Sequence, residues 1–262
     1  MRKKSEVLKD IGERLAFFSE AGAGFAARRA PKTRSAAVPV PVARKASQPV
    51  APRPTVPSSP VLPKASGPST SVPGASQLSF PELEAAVLAC RLCPLAAGRT
   101  QAVPGEGSRA TELMFVGEGP GKDEDAQGRP FVGRAGQLLT KIIEAMHYKR
   151  EEVYIANIVK CRPPENRRPL PAEVEACGPY LLRQIELLYP RVIVTLGQTA
   201  TDFFVPGRMG IGGRRGRFAE FRGIKVMPTY HPSYLIRNEG NKELRRHVWD
   251  DMQKVMELLG KK

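Results

Sequence analysis

Four cysteines are the residues of this sequence whose type and spacing point most directly to chemistry. A close pair, Cys90 and Cys93, is followed far downstream by Cys161 and Cys177, so that none is left over. Because disulfides are rare in intracellular proteins, four thiolates in one domain indicate a metal centre. Tetrahedral zinc and an iron–sulfur cluster both accept four thiolates, although zinc sites more often have two close pairs. The spacing leaves both metals open, with buried unligated cysteines as the alternative.

A glycine-rich loop that follows an apolar run is the second candidate for chemistry. Residues 113–116 (LMFV) are typical of a buried parallel strand, and Gly117, Gly119 and Gly121 let the backbone turn sharply and approach a flat ligand. Ligands of open α/β sheets bind at such strand ends. The loop is also acidic, which suits orienting a water molecule or rejecting a badly shaped base, unless the acids are simply solvated. These acidic residues are Glu118, Asp123, Glu124 and Asp125.

The same loop does not match a phosphate-binding P-loop. That motif needs four residues between its glycines and Ser or Thr after its lysine. Here three residues separate Gly117 from Gly121, and Asp123 follows Lys122. The acidic side chains would also repel a triphosphate, so the sequence argues against a polyphosphate ligand.

An arginine-glycine segment lies further along the chain. Residues 207–216 contain Arg208, Arg214 and Arg215 among five glycines. Such a segment is flexible enough to follow a phosphate backbone and positive enough to bind it. A plain connection between two strands is the equally weighted alternative.

The elements that must position these residues alternate between strands and helices. Periodicity and cap residues predict strands over 113–116, 153–159 and 192–196, a turn at Arg222-Gly223, and a last strand running up to His231. Helices are predicted from Phe80, then over 136–147, 171–188, 198–204 and 241–259. This alternation predicts an α/β domain whose central parallel sheet is covered by helices on both faces.

The N-terminal third differs in composition from this domain. Apolar residues at helical spacing predict a short amphipathic helix over 1–22, suited to a protein partner or to the domain itself. No Phe, Trp or Tyr occurs from Ala26 to Ser79, where Pro, Ala, Ser and Val dominate. The sequence therefore predicts a disordered basic linker over 23–78 and an ordered domain over 79–262.

The net charge of +15 favours a polyanionic partner. Residues 1–78 contain 13 Lys and Arg against 4 Asp and Glu, a net charge of +9, which leaves +6 for the remainder. An anionic membrane surface and solubility alone are the alternatives. No apolar run approaches the length of a membrane span, and the first residues lack the apolar core of a signal peptide. We therefore expect an intracellular protein that does not enter a membrane.

Several motifs in a fixed order resemble the family 4 uracil-DNA glycosylases, the iron–sulfur branch of that superfamily. The resemblance covers Phe80 to Leu259 and stops at the N-terminal tail. Its carriers are Cys90-x-x-Cys93, GEGPG at 117–121, GRPFVG at 128–133, NIVKCRPP at 157–164, Cys177 and His231-Pro232-Ser233.

The resemblance implies a three-layer α/β/α sandwich that flips uracil out of single- or double-stranded DNA and excises it hydrolytically, leaving an abasic site. It also implies a structural four-iron, four-sulfur cluster, whose ligands would be Cys90, Cys93, Cys161 and Cys177. Localisation in the prokaryotic cytoplasm, near the nucleoid, and a monomeric state are expected to follow.

The same resemblance assigns the reading of the base to residues of the central loops. Phe131 would stack on uracil, and the Asn157 amide would accept from N3–H and donate to O4, a pattern that cytosine reverses. Glu124 would exclude the thymine methyl group, with Gly119 and Gly121 beside the base.

Catalysis and DNA contact are assigned in the same way. His231, as a neutral imidazole, would donate to uracil O2, where negative charge develops. Glu118 is the first candidate to position the attacking water and Asn166 the second, because this family lacks the catalytic Asp of related glycosylases. Leu235 would wedge into the base stack and Arg237 would contact phosphate. Arg214 and Arg215 are expected to contact phosphate as well, and a non-catalytic nucleic-acid-binding module is the alternative function.

Overall fold

The computed structural model describes residues 77–261. The predicted helix over 1–22 and linker over 23–78 lie outside the described residues, apart from Gln77 and Leu78. In the described part of the chain, none of the helices combines the length and the apolar character that crossing a bilayer requires.

Six strands form one sheet, in the order β1-β3-β2-β4-β6-β5. The four central strands are parallel, as predicted, and the two edge strands run antiparallel to their neighbours. The strands are β1 (Glu106–Gly107), β2 (Leu113–Gly117), β3 (Tyr154–Asn157), β4 (Val192–Leu196), β5 (Ala219–Phe221) and β6 (Ile224–Thr229). The short antiparallel β5 joins β6 through the turn at Arg222-Gly223 that the sequence predicted.

Nine α-helices lie within the described residues. They are α1 (Phe80–Ala89), α2 (Leu95–Gly98), α3 (Lys122–Gln127), α4 (Arg134–Ala145), α5 (Pro171–Leu188), α6 (Gln198–Phe204), α7 (Ile211–Arg214), α8 (Pro232–Arg237) and α9 (Lys242–Leu259). Short 3₁₀ turns occur at Arg150–Glu152 and Pro164–Asn166. The helix α7 lies inside the segment 207–216 that the sequence suggested was a flexible loop.

The central strands are buried on both faces because helices cover both. Along β2, Leu113 and Phe115 belong to a core built with α4 and α9, whereas Met114 and Val116 belong to a second core built with α1 and α5. Alternate side chains of a strand point to opposite faces, so one apolar strand serves both layers. This arrangement confirms the predicted α/β/α architecture.

The carboxyl ends of the parallel strands align at one edge of the sheet. Gly117 of β2 is paired with Asn157 of β3, and Leu196 of β4 is paired with Thr229 of β6. The residues that follow these ends therefore lie close together, which is where an open α/β sheet places its ligand site.

Candidate active site

A cleft of about 850 Å³ opens at this edge of the sheet. Nine of the predicted site residues line it, drawn from the ends of three strands and from the loops beyond them. They are Glu118, Gly119, Gly121, Glu124, Phe131, Asn157, Asn166, His231 and Arg237. The fold thus brings together residues that are up to 119 positions apart in the sequence, from Glu118 to Arg237.

Asn157 ends β3 with its side chain buried at the base of the cleft. Asn157 is 1% exposed, and its Oδ1 atom has no hydrogen-bond partner among the described residues. A buried oxygen without a donor costs about 1–3 kcal/mol, so this acceptor is poised for a ligand N–H group. The glycine at position 117 leaves space for the Asn157 side chain and the Phe131 ring. A Cβ added there would clash with Oδ1 of Asn157 and lie 2.5 Å from Cζ of Phe131.

His231 is the N-cap residue of α8, and its ring orientation is fixed by the helix that follows. Its Nδ1 atom accepts from the backbone N–H of Ser233 at 3.1 Å and lies 2.8 Å from the Ser233 hydroxyl. Since Nδ1 is the acceptor, the neutral ring carries its proton on Nε2. Burial of the ring, with a smaller effect from Arg237, lowers the pKa of His231 to about 4. At neutral pH the imidazole is therefore an uncharged Nε2–H donor.

Two further features shape this end of the cleft. The Phe131 ring lies 5.7 Å from the His231 ring between centroids and is tilted by 32° to it. Gly197, which follows β4, has a φ of +89°, and a Cβ there would come within 3.1 Å of the His231 Cβ. A side chain at position 197 would thus be strained and would press on the histidine.

The two candidates for positioning water differ in how they are held. Glu118 accepts at Oε2 from the Thr199 hydroxyl at 2.5 Å, which leaves Oε1 for another partner. Asn166 has a φ of +56° and accepts at Oδ1 from Nε of Arg162 at 2.8 Å. Thr199 also lines the cleft, but the sequence analysis did not identify it. Its hydroxyl contacts Glu118, which lies 81 positions away, and no local sequence pattern indicates such a contact.

Three backbone hydrogen bonds hold the carboxylate of Glu124. Its carboxylate accepts from the N–H groups of Val132 and Gly133 at 2.9 Å each and from that of Gly121 at 3.0 Å. The side chain therefore ties the glycine loop to the loop that carries Phe131. The sequence analysis predicted that Glu124 excludes the thymine methyl group, and the structure adds that hydrogen bonds fix the position of its side chain.

The structure corrects the interpretation of Arg214 and Arg215. Arg214 pairs with Asp202 at 2.5 Å and Arg215 with Asp251, and the two arginine side chains are only 7% and 14% exposed. Removing one partner of a buried pair, such as Arg215 with the fully buried Asp251, destabilises a protein by about 3–5 kcal/mol. The Arg214 pair contributes less, because Asp202 is 45% exposed. These guanidinium groups brace α6, α7 and α9 rather than face solvent where phosphate could reach them.

Leu235 is corrected in the same way. It is 1% exposed and packs in the core, so it does not project from α8 as a wedge would. The neighbouring Tyr234 lines the cleft, is 39% exposed and lies 5.4 Å from Tyr230 between ring centroids. The helical phase of α8, which the sequence does not reveal over so few residues, decides which of the two faces outward.

The four cysteines lie at the second of the two cores, the one built with α1 and α5. All are free thiols; Cys161 and Cys177 are buried, and Cys90 and Cys93 are half-buried. Cys161 and Cys177 belong to the same core cluster, and Cys90 and Cys93 pack against it. The fold therefore brings the four cysteines to one core, and their role as ligands of a single metal group stays a prediction.

Cationic and N–H donors surround these sulfur atoms. Arg99 donates to Cys161 Sγ at 3.0 Å, and the backbone N–H of Lys160 donates to Cys177 Sγ at 3.2 Å. Burial raises the pKa of Cys177 to about 12 and also raises the pKa of Cys161. Without a metal these thiols stay protonated, so the donors around them match a metal-bound thiolate better than a free thiol.

The spacing of the thiols bears on which metal would fit. Within residues 77–261, no group of three or more Cys, His, Asp or Glu side chains is arranged to hold a metal ion. A tetrahedral zinc with bonds of about 2.3 Å requires its thiolates to lie within about 4 Å of one another. In a four-iron cluster each thiolate binds a different iron, which spreads the sulfur atoms further apart. The zinc alternative therefore has no support in this geometry, and the positions of the sulfur atoms do not by themselves show a cluster either.

Comparisons with known proteins match the same part of the chain. A family model described as the uracil DNA glycosylase superfamily matches residues 104–253. A type-4 uracil-DNA glycosylase of Thermotoga maritima is 53% identical over 174 residues, which are 66% of this chain and 90% of that protein. One from Archaeoglobus fulgidus is 42% identical over 192 residues, 70% of this chain and 95% of that protein. A type-5 uracil-DNA glycosylase of Pyrobaculum aerophilum is 32% identical over 155 residues, 53% of this chain and 68% of that protein. The chain belongs to the uracil-DNA glycosylase superfamily and, within it, to the type-4 uracil-DNA glycosylases.

Proposed function

We propose that this protein is a DNA-repair glycosylase that flips uracil out of DNA and hydrolyses its N-glycosidic bond. The observation that carries the proposal is the unpaired Oδ1 of Asn157 at the base of a cleft that also contains the neutral His231. The Asn157 acceptor and the uncharged His231 donor match polar groups on the edge of a pyrimidine, and the Phe131 ring matches its flat face.

Recognition of uracil begins with the Asn157 amide. Its Oδ1 accepts from uracil N3–H, and its Nδ2 donates to O4. Cytosine presents an acceptor at N3 and a donor at C4, so it would leave the buried amide unpaired and is rejected by up to about 10⁴-fold. The backbone carbonyl of Asn157 accepts from Nζ of Lys160 at 2.9 Å, which anchors the end of the strand beneath the base.

The walls of the cleft complete this recognition. Phe131 is 6% exposed and supplies an aromatic face next to His231, on which the extruded base stacks. Glu124, immobilised by its three backbone hydrogen bonds, forms a rigid wall against the C5 methyl group of thymine. Because Gly119 and Gly121 have no side chains, the backbone of the facing loop can approach the base at these two positions.

His231 supplies the main catalytic interaction. Bond cleavage leaves negative charge on uracil O2, and the Nε2–H group of His231 donates to that oxygen as the charge develops. One well-placed donor of this kind contributes about 3–4 kcal/mol to the transition state. Ser233 holds the tautomer by donating its backbone N–H to Nδ1.

The attacking water is assigned to Glu118. Its Oε2 is occupied by the Thr199 hydroxyl, so its Oε1 is the oxygen that accepts from the water on the sugar side of the base. Asn166 is the second candidate, although its Oδ1 already accepts from Arg162.

DNA contact is assigned to the rim of the cleft. Arg168 and Arg237 both line the cleft and are exposed, unlike Arg214 and Arg215, so they are placed to contact phosphate. Tyr234 takes the wedge role first given to Leu235, because its exposed aromatic ring can fill the gap that an extruded nucleotide leaves.

We assign a four-iron, four-sulfur cluster to Cys90, Cys93, Cys161 and Cys177. When bound, the cluster would supply cross-links between segments rather than a reaction step. It would join the end of α1 to the segment after β3 and to α5, and so would hold the Asn157 end of β3 in place. A protein partner for residues 1–22, a monomeric state and localisation near the nucleoid stay predictions.

A duplex panel tests the proposal. Duplexes identical except for one uracil, cytosine or thymine are incubated with the iron-loaded protein, treated with alkali and separated on a denaturing gel. We expect strand scission only at uracil, and a loss of about two to three decades in rate for Asn157→Ala. An intact uracil strand with the wild-type protein, in duplex and in single-stranded form, would contradict the proposed activity. Equal scission at cytosine would contradict the role of Asn157.

A further inference from the structure

Lys160 is a buried lysine that lies between the cysteines and the end of β3. It is 1% exposed and is one of the largest fully buried side chains of the described residues. Lysine is almost never buried completely unless its charge is compensated. Neither the reading of the base nor the cleavage step assigned above uses its charge.

The hydrogen bonds of the ammonium group do not provide that compensation. Nζ donates to the backbone carbonyl of Asn157 at 2.9 Å and to Oε1 of Gln184 at 2.7 Å. Both acceptors are neutral. They satisfy two of the three N–H donors but leave the positive charge without an anion.

The cysteines are the anionic groups that this position offers. The backbone N–H of Lys160 donates to Cys177 Sγ at 3.2 Å, and Cys161 is the next residue in the chain. Four thiolates exceed the positive charge of the cluster they bind, so the loaded group is a net anion. In a low-dielectric interior, charges several ångströms apart still interact strongly.

We propose that Lys160 is the buried counter-ion of the metal group held by the four cysteines, and that it links this group to Asn157. The inference rests on the proposed function in two respects, because it takes the four cysteines as metal ligands and Asn157 as the base-reading residue. Metal binding supplies the anion that keeps the ammonium stable in the interior, and the same ammonium holds the Asn157 carbonyl. The cysteine site and the cleft then share one cation.

The first test compares Lys160→Met with Lys225→Met in the full-length, anaerobically purified protein. Lys225 is a matched control because its side chain is 47% exposed and pairs with Glu220 at the surface. The iron content and the rate at which a chelator bleaches the visible absorbance are measured. We expect Lys160→Met to lose iron about 10–100-fold faster, the range typical of residues that support metal ligands, and Lys225→Met to match the wild type. Iron content and bleaching rate equal to wild type in Lys160→Met would overturn the proposal.

A second pair of variants separates charge from hydrogen bonding and decides the matter if Lys160→Met does not fold. Gln184→Glu places a competing anion beside Nζ with little change of shape, whereas Gln184→Met removes the acceptor without adding charge. We expect Gln184→Glu, but not Gln184→Met, to lower the reduction potential of the cluster. The new carboxylate offsets the positive charge of Lys160, and less positive charge near the cluster makes the addition of an electron less favourable. Equal potentials in the two variants would overturn the counter-ion role.

Hydrogen exchange tests the link to Asn157. The backbone N–H groups of Ile158 and Val159 donate to the carbonyls of Gly117 and Glu118 and so report on the end of β3. We expect these amides to exchange at least about tenfold faster in iron-loaded Lys160→Met than in Lys225→Met. Unchanged exchange would overturn the link. Uracil excision by the wild type in the same preparations reports separately on the proposed function.

Discussion

The cleft and the cysteine site lie at the two ends of one short segment, residues 157–161, yet the protein prepares them differently. In the cleft, His231, Glu118 and Glu124 are each held by hydrogen bonds from the protein itself. In the cysteine site, Cys177 is a protonated thiol unless a metal binds. Hydrogen bonds within the protein thus order the cleft, whereas the cysteine site would be completed only by the proposed metal group.

This difference predicts how each region responds to mutation. Changes in the cleft should reduce the rate of excision and leave the stability nearly unchanged. Changes at the cysteines should reduce the stability first, and the rate only as a consequence.

The largest effect on rate is expected for His231→Ala. Loss of the Nε2–H donor should reduce the single-turnover rate of uracil excision by about 10²–10³-fold. The lost N-cap contact to Ser233 should cost only about 1 kcal/mol, so the variant stays folded. Rapid-quench kinetics and thermal unfolding measure the two effects. Wild-type rates in His231→Ala would contradict the assignment of this residue.

The largest effect on stability is expected for Cys161→Ala. Loss of one ligand should abolish the visible absorbance and lower the free energy of unfolding by on the order of 4 kcal/mol. Leu92→Ala is the matched control, because Leu92 lies between Cys90 and Cys93 with 54% exposure and should change stability by less than about 0.5 kcal/mol. Chemical denaturation and absorbance spectra make the comparison. A Cys161→Ala protein with unchanged stability would remove the contrast between the two regions.

A smaller effect, confined to duplex DNA, is expected for Tyr234→Ala. Aromatic stacking on a base contributes about 1–3 kcal/mol, so the excision rate on duplex should fall about tenfold. The rate on single-stranded DNA should barely change, since no stack has to be filled there. Tyr234→Phe should retain the wild-type rate on both substrates. Equal losses on both substrates would show that Tyr234 is not a wedge.

The smallest effect is expected from a change of pH. The pKa of His231 is lowered to about 4, from an ordinary value near 6.5, so the neutral ring persists as the pH falls from 8 to about 5. The single-turnover rate should stay flat over that interval and decline only as the ring gains a proton near pH 4. An acid limb near pH 6.5 that is absent from His231→Ala would contradict the neutral imidazole.

The sequence predicts the strands and helices that have strong patterns. The strand Val192–Leu196 and the helix Gln198–Phe204 have the predicted bounds, and Asn241 caps the last helix as expected. Buried parallel strands are continuously apolar, and N-caps have distinctive residues, so local pattern is sufficient there. The gathering of cleft residues and cysteines followed from motifs rather than from periodicity.

The sequence does not reveal what depends on tertiary partners. Arg214 and Arg215 look like phosphate ligands until Asp202 and Asp251 are placed beside them. The Thr199 hydroxyl that holds Glu118 and the burial of Lys160 likewise arise only from folding. The sequence shows how many charged residues the chain has, but it does not show which of them are paired in the folded protein.

The central claim is that the cleft reads uracil with Asn157 and draws charge from the breaking bond with His231. Its most direct test is chromatographic detection of free uracil released from a single-uracil duplex by the iron-loaded protein in single turnover. We predict one uracil per duplex and an abasic site at its position. Release of no uracil by a folded, iron-loaded protein, from either single- or double-stranded DNA, would contradict the account.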